Sequence, residues 1–173
     1  GGGSAYLPLT IVDSGHGFTS GYDANSYQTY KDLVDASLAR AAQAGFDLLR
    51  SARVSNHLHF EGRVVNWLPT TLPAAAKVHI LIFEEHTPVS GEHITNRILR
   101  AHLSQSTGVD LPTNASATFS MDTGELANIV DWSKVRAVAL IDYRPGITAG
   151  AYDMLQATMI YPLSNIYLPI LRK

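Results

Sequence analysis

The side chains best suited to chemistry in this sequence are its seven histidines, because cysteine is absent. His57 and His59 are two residues apart, so on a strand both rings would point to one face. His79, Glu84 and His86 lie on a single apolar run, Lys77–His86, with His93 and His102 nearby in sequence. Two strand histidines with a carboxylate or a third histidine could hold Zn²⁺ or Cu²⁺. No spacing among them is a recognised ligand signature, and the plainer reading has His57 and His59 flanking a hairpin while His79 packs in a sheet. The acids offer a second constellation. Glu84 and Glu85 with Asp142 and Asp153 could supply paired carboxylates for acid–base hydrolysis, although strand ends are commonly acidic simply because they are solvated. Arg97 and Arg100 are candidate partners for those acids in a structural ion-pair cluster. A third group, Asp13-Ser14-Gly15-His16-Gly17, holds an acid, a hydroxyl and an imidazole. A serine nucleophile needs such groups to converge in space, which one turn rarely allows. The nucleophile-elbow pattern is missing, and Gly15 and Gly17 start a dinucleotide fingerprint that fails at Ser20. A hairpin turn is the expectation there. No catalytic residue and no cofactor is assigned.

Composition narrows the class. The chain has 173 residues, 46% hydrophobic and 16% charged, with a net charge of −2. That is ordinary globular material, without the basic bias of a nucleic-acid partner. Lack of cysteine excludes disulfides, thiol catalysis and thiolate metal sites. No apolar run approaches the ~18 residues of a membrane span. The opening Gly1-Gly2-Gly3-Ser4 lacks a signal-peptide profile and reads as a linker or a processed end.

The elements that must position these groups follow from periodicity. Leu7–Asp13 reads as a short strand entered through Pro8, and Phe18–Gly21 as its partner. Asp23 or Ser26 can cap a helix in which Tyr27, Tyr30, Leu33, Val34, Leu38 and Ala41 recur at helical spacing, with Gly45 as the stop. The period then changes to two. Phe46–Asn56 and Leu58–Leu68 read as strands, followed by Val78–His86, Ala115–Met121, Val135–Tyr143 and Tyr152–Tyr161. Val78–His86 is apolar on both faces, which predicts a strand covered on both sides. Ile94–Ser104 fits either period. The expected fold class is α+β: a strand–hairpin–helix unit over residues 1–45, then an antiparallel β-sandwich of six to seven strands over residues 46–173.

Leu7-Pro8-Leu9-Thr10-Ile11-Val12-Asp13, the glycine turn, Gly21 and the amphipathic helix resemble the second half of a thioredoxin fold, with Pro8 at the cis-proline position. Val78–Glu85, Asn96-Arg97-Ile98-Leu99-Arg100-Ala101, Val135–Asp142 and Tyr152–Ile160 with its Gln156-Ala157 resemble the C-terminal, β-rich region of secreted bacterial thioredoxin-like proteins of the outer-membrane lipoprotein type. The half that would carry the Cys-x-x-Cys pair is missing, so the resemblance implies no thiol redox activity. It implies a periplasmic or extracellular location, with outer-membrane association included.

The remaining sequence feature is the apolar end. Tyr161, Ile166, Tyr167, Leu168, Ile170 and Leu171 could form an aromatic-rich contact surface or complete the domain's own core, with Pro162 and Pro169 arguing against a simple internal strand. The functional expectation is a non-catalytic exported accessory or structural subunit that docks to a protein partner or larger assembly, membrane-associated complexes included. Nucleic acid is not an expected partner. The alternative is a metal-binding protein or metal-dependent hydrolase using His57, His59 and the central strand.

Overall fold

A computed structural model describes residues 9–12, 17–21, 23–86, 96–143, 153–160 and 164–165. The chain divides into two compact units, Gly1–Ala42 with Arg144–Met154, and Gln43–Tyr143 with Leu155–Lys173.

In the first unit β1 (Leu9–Val12) pairs antiparallel with β2 (Gly17–Ser20), Val12 facing Gly17. The residues linking them, where Asp13–His16 were expected to turn, lie outside the described residues, as does Pro8. Helix α1 spans Ser26–Leu38. Its entry is fixed by Asp23, whose carboxylate accepts from the Asn25 N–H at 2.8 Å and the Ser26 hydroxyl at 3.2 Å. The Ser26 oxygen in turn accepts from the Asp23 N–H at 2.6 Å. This reciprocal arrangement satisfies donors that the helix start leaves open. The helix ends at Leu38, seven residues short of Gly45. Ala39–Ala42 are good helix formers, but Gln43 accepts from the Trp67 N–H at 2.9 Å, and the chain is taken into a strand from Ala44. Tertiary pairing overrides local propensity here.

The second unit is β-rich and mainly antiparallel. β3 (Ala44–Val54), β4 (His57–Asn66) and β7 (Ser116–Asp122) form one sheet in the order β10-β3-β4-β7, where β10 (Ser164–Asn165) joins β3 in parallel. β5 (Lys77–His86), β6 (Asn96–Ser106), β8 (Val135–Tyr143) and β9 (Asp153–Ile160) form the other, in the order β6-β5-β8-β9. The stretch ambiguous by periodicity is therefore a strand. One hydrophobic cluster draws on both sheets, including Leu58, Phe60 and Val64 from β4, Phe119 and Met121 from β7, and Val78, Ile80 and Ile82 from β5. Ile80 and Ile82 face Ala139 and Ala137 of β8, so large and small side chains alternate across the pair. Only that face of β5 is fully buried. His79, Leu81, Phe83 and Glu85 are half-buried on the other, so the strand is less covered than its composition suggests.

Two glycines mark close approaches. A Cβ on Gly45 would lie 2.3 Å from the Trp67 ring, and one on Gly62 would lie 2.8 Å from the Phe119 ring. Both rings approach backbone that only glycine leaves open.

Candidate functional site

β5 pairs with β6 in register except between Ile82 and Phe83. Ile82 faces Ala101 and Phe83 faces Leu99, which leaves Arg100 without a cross-strand partner in the register. Such a bulge re-aims a side chain. Its effect here is to send the Arg100 guanidinium to Glu84, with Nε 2.9 Å and Nη2 2.6 Å from the carboxylate. Glu84 is fully buried. It also accepts from the backbone N–H of Asp131 at 2.6 Å and of Val130 at 3.1 Å, on the connection that leads into β8. Burial is the largest single influence on its carboxyl and pushes its pKa up. The Asp131 and Val130 N–H groups, with Arg100, outweigh that effect and hold it below the ordinary 4.5. Glu84 is thus a charged clamp at neutral pH between β5, β6 and the β7–β8 connection. It does not sit at a solvated strand end, because that connection and Arg100 enclose it. Next to it, Glu85 pairs with Arg97 at 3.3 Å and with Arg136 at 3.5 Å.

Asp131, which helps hold Glu84, is itself fixed. Its Oδ1 accepts from the Ser133 N–H at 2.9 Å and the Ser133 hydroxyl at 2.7 Å, which lowers its pKa. A matching polar anchor is Asn66 at the end of β4. Its side chain donates to the Thr70 and Leu111 carbonyls, both at 2.8 Å, and accepts from the Leu68 N–H at 2.9 Å. These buried groups are fully engaged in holding loops, which is the ordinary requirement for burying them.

The predicted metal residues with described side chains are spread over two sheets. In β4 the inward positions are Leu58 and Phe60, so His57 and His59 face outward from that sheet. His59 Nδ1 is 2.8 Å from Asp122, and His57 Nδ1 is 3.4 Å from the Thr123 carbonyl. His79 projects from the opposite sheet, and Glu84 points inward to Arg100. The His86 side chain and the residues Tyr161, Ile166, Tyr167, Leu168, Ile170 and Leu171 lie outside the described side chains. Among the described residues no three His, Asp or Glu side chains converge to hold an ion. Asp142 faces Lys77 at one end of β5 and β8, whereas Glu84 faces Val135 at the other, so these two carboxylates do not pair; the Asp153 side chain lies outside the described ones.

What the sheet does bring together is His79, His102 and Asp142. His79 Nδ1 lies 2.8 Å from His102 Nε2, and His79 Nε2 lies 3.2 Å from Asp142 Oδ1. The two rings are nearly parallel, 15° apart, with centroids separated by 5.0 Å. The sequence places His102 only near the central strand; its contact with His79 follows from the register of β6, which sets His102 opposite Leu81 and Ser104 opposite His79. A separate groove of about 460 Å³ near the β3 irregularity is lined by residues that include Leu48, Arg50, Arg63 and Gln105. Its arginines are neutralised locally, Arg63 Nε donating to Asp47 at 2.7 Å and Arg50 lying 3.9 Å from Glu61.

No family model and no curated protein matches the chain. Among solved structures, a Bifidobacterium adolescentis GH3 beta-glucosidase is similar at 14% identity and a TM-score of 0.35. The match covers 68% of this chain and 16% of that enzyme. No helix of the described residues is long and apolar enough to cross a membrane.

Proposed function

We propose that this chain is a non-catalytic accessory or structural unit that works by docking to another protein. One observation carries the reading. On α1, Tyr27, Val34 and Leu38 are 79%, 45% and 78% exposed, and their spacing of seven and then four residues places them on one stripe. An amphipathic helix normally turns that stripe inward, and an apolar stripe left in solvent favours a protein contact. Lys31, four residues after Tyr27 and three before Val34, lies along the same stripe and pairs with Asp35 at its side, so the exposed face is apolar with one charged pair. The same proposal takes the two sheets that share one hydrophobic cluster as the layers of a β-sandwich, and the β1–β2 hairpin with α1 as part of a thioredoxin-like unit lacking thiols. It places the protein in the periplasm or outside the cell, at the outer membrane included.

Immobilised wild-type chain and its Leu38→Asp variant, incubated with the host's envelope extract, test the docking. A protein retained by wild type and by a Leu48→Asp control, and lost with Leu38→Asp, supports the proposal. Identical retention by all three chains contradicts it.

A further inference from the structure

We propose that the outer face of β5, β6 and β8 carries a divalent transition-metal site, with His79 Nδ1 and His102 Nε2 as ligands and Asp142 orienting His79. Two imidazole nitrogens 2.8 Å apart must share something between them. Without metal it is a proton, and with metal it is the ion. Ligand nitrogens at 2.0–2.1 Å from a tetrahedral Zn²⁺ are separated by about 3.3 Å, so opening the pair by roughly half an ångström suffices. His102 is exposed, on an outward position of β6, and its side chain can supply that movement.

Tautomers agree with this assignment. Asp142 accepts the His79 Nε2 proton across 3.2 Å, which leaves the Nδ1 lone pair directed at His102. A carboxylate behind a ligating histidine fixes ring orientation and raises basicity. His79 and Asp142 are also well shielded, their side chains 16% and 17% exposed, so the hydrogen bond between them is protected while the His102 side of the pair faces solvent. On metal binding the His102 Nε2 proton moves to its own Nδ1, and no net proton need be released. The remaining coordination positions are filled by water. Imidazole suits Cu²⁺ and Zn²⁺, with Cu²⁺ the tighter of the two. Lys77 faces Asp142 in the register, so it is the neighbouring cation that opposes the ion.

Isothermal titration with ZnCl₂ and with CuCl₂, on the full chain purified without chelators, tests the site. One ion per chain is expected. His79→Ala and His102→Gln should abolish binding, and Asp142→Asn should weaken it by about 10–100-fold. His59→Ala, on the other sheet, should leave it unchanged. The Cu²⁺ complex should show hyperfine coupling to two nitrogens by electron paramagnetic resonance, lost in His102→Gln even if that variant folds normally by circular dichroism. Absence of saturable binding, or binding that survives both histidine substitutions, overturns the site. An unchanged affinity in Asp142→Asn overturns the role given to that carboxylate.

Discussion

Removing the Glu84 carboxylate should destabilise the β-rich unit far more than removing any surface charge. Glu84 is fully buried and accepts from Arg100 and from the Val130 and Asp131 N–H groups. Glu84→Ala leaves the 16%-exposed Arg100 guanidinium without its partner and orphans two backbone donors. Breaking a buried pair from one side costs about 3–5 kcal/mol. For a chain of this size that corresponds to a fall in Tm of roughly 6–20 °C. Differential scanning calorimetry reads it directly. A second variant separates the pair from the loop. Replacing both charges, Glu84→Leu with Arg100→Met, would restore stability if the ion pair were all that mattered. Here the Val130 and Asp131 donors stay unsatisfied, so the double variant should remain well below wild type. A Glu84→Ala Tm within 2 °C of wild type, taken as about 1 kcal/mol or less, would refute the clamp. Full recovery in the double variant would refute the part assigned to the backbone donors.

The same carboxylate sets an acid dependence. Its folded pKa lies below the unfolded 4.5, so its contribution is fully present above 4.5 and is lost as pH falls through the folded value. Urea midpoints between pH 7 and pH 3 should fall steeply in wild type and less so in Glu84→Gln. Asn66→Leu should cost about 2–4 kcal/mol by stranding the Thr70, Leu111 and Leu68 backbone groups, measured by urea unfolding. Gly45→Val should drive Trp67 off the strand, seen as a red-shifted emission in a Trp132→Phe background. By contrast Asp47→Asn, at a half-exposed pair with Arg63, should leave the calorimetric transition nearly unmoved.

Much of the sheet framework is legible in the sequence because buried strands announce themselves by composition. Val135–Tyr143 is read with its observed bounds, and Lys77–His86 differs from its expected start by one residue. The end of α1 is not legible, since Ala39–Ala42 favour helix and only pairing of Gln43 and Ala44 with the end of β4 prevents it. β6 is obscured by its bulge. An extra residue at Arg100 shifts the period of two midway, which makes Ile98, Leu99 and His102 look helical. The Glu84–Arg100 pairing is foreshadowed by the acids and arginines of the sequence, whereas the contact of His79 with His102 follows only from cross-strand register. Local patterns locate strands, whereas cross-strand register decides which side chains meet.

Site-specific photo-crosslinking at α1 tests the docking proposal most directly. A benzophenone amino acid at Leu38, irradiated in cells that express the chain, should yield a discrete crosslinked species containing a second protein. The same probe at Leu48, also exposed but on β3, should not. A Leu38 probe that gives no adduct, or the same mixture of adducts as Leu48, would contradict a docking role for this helix.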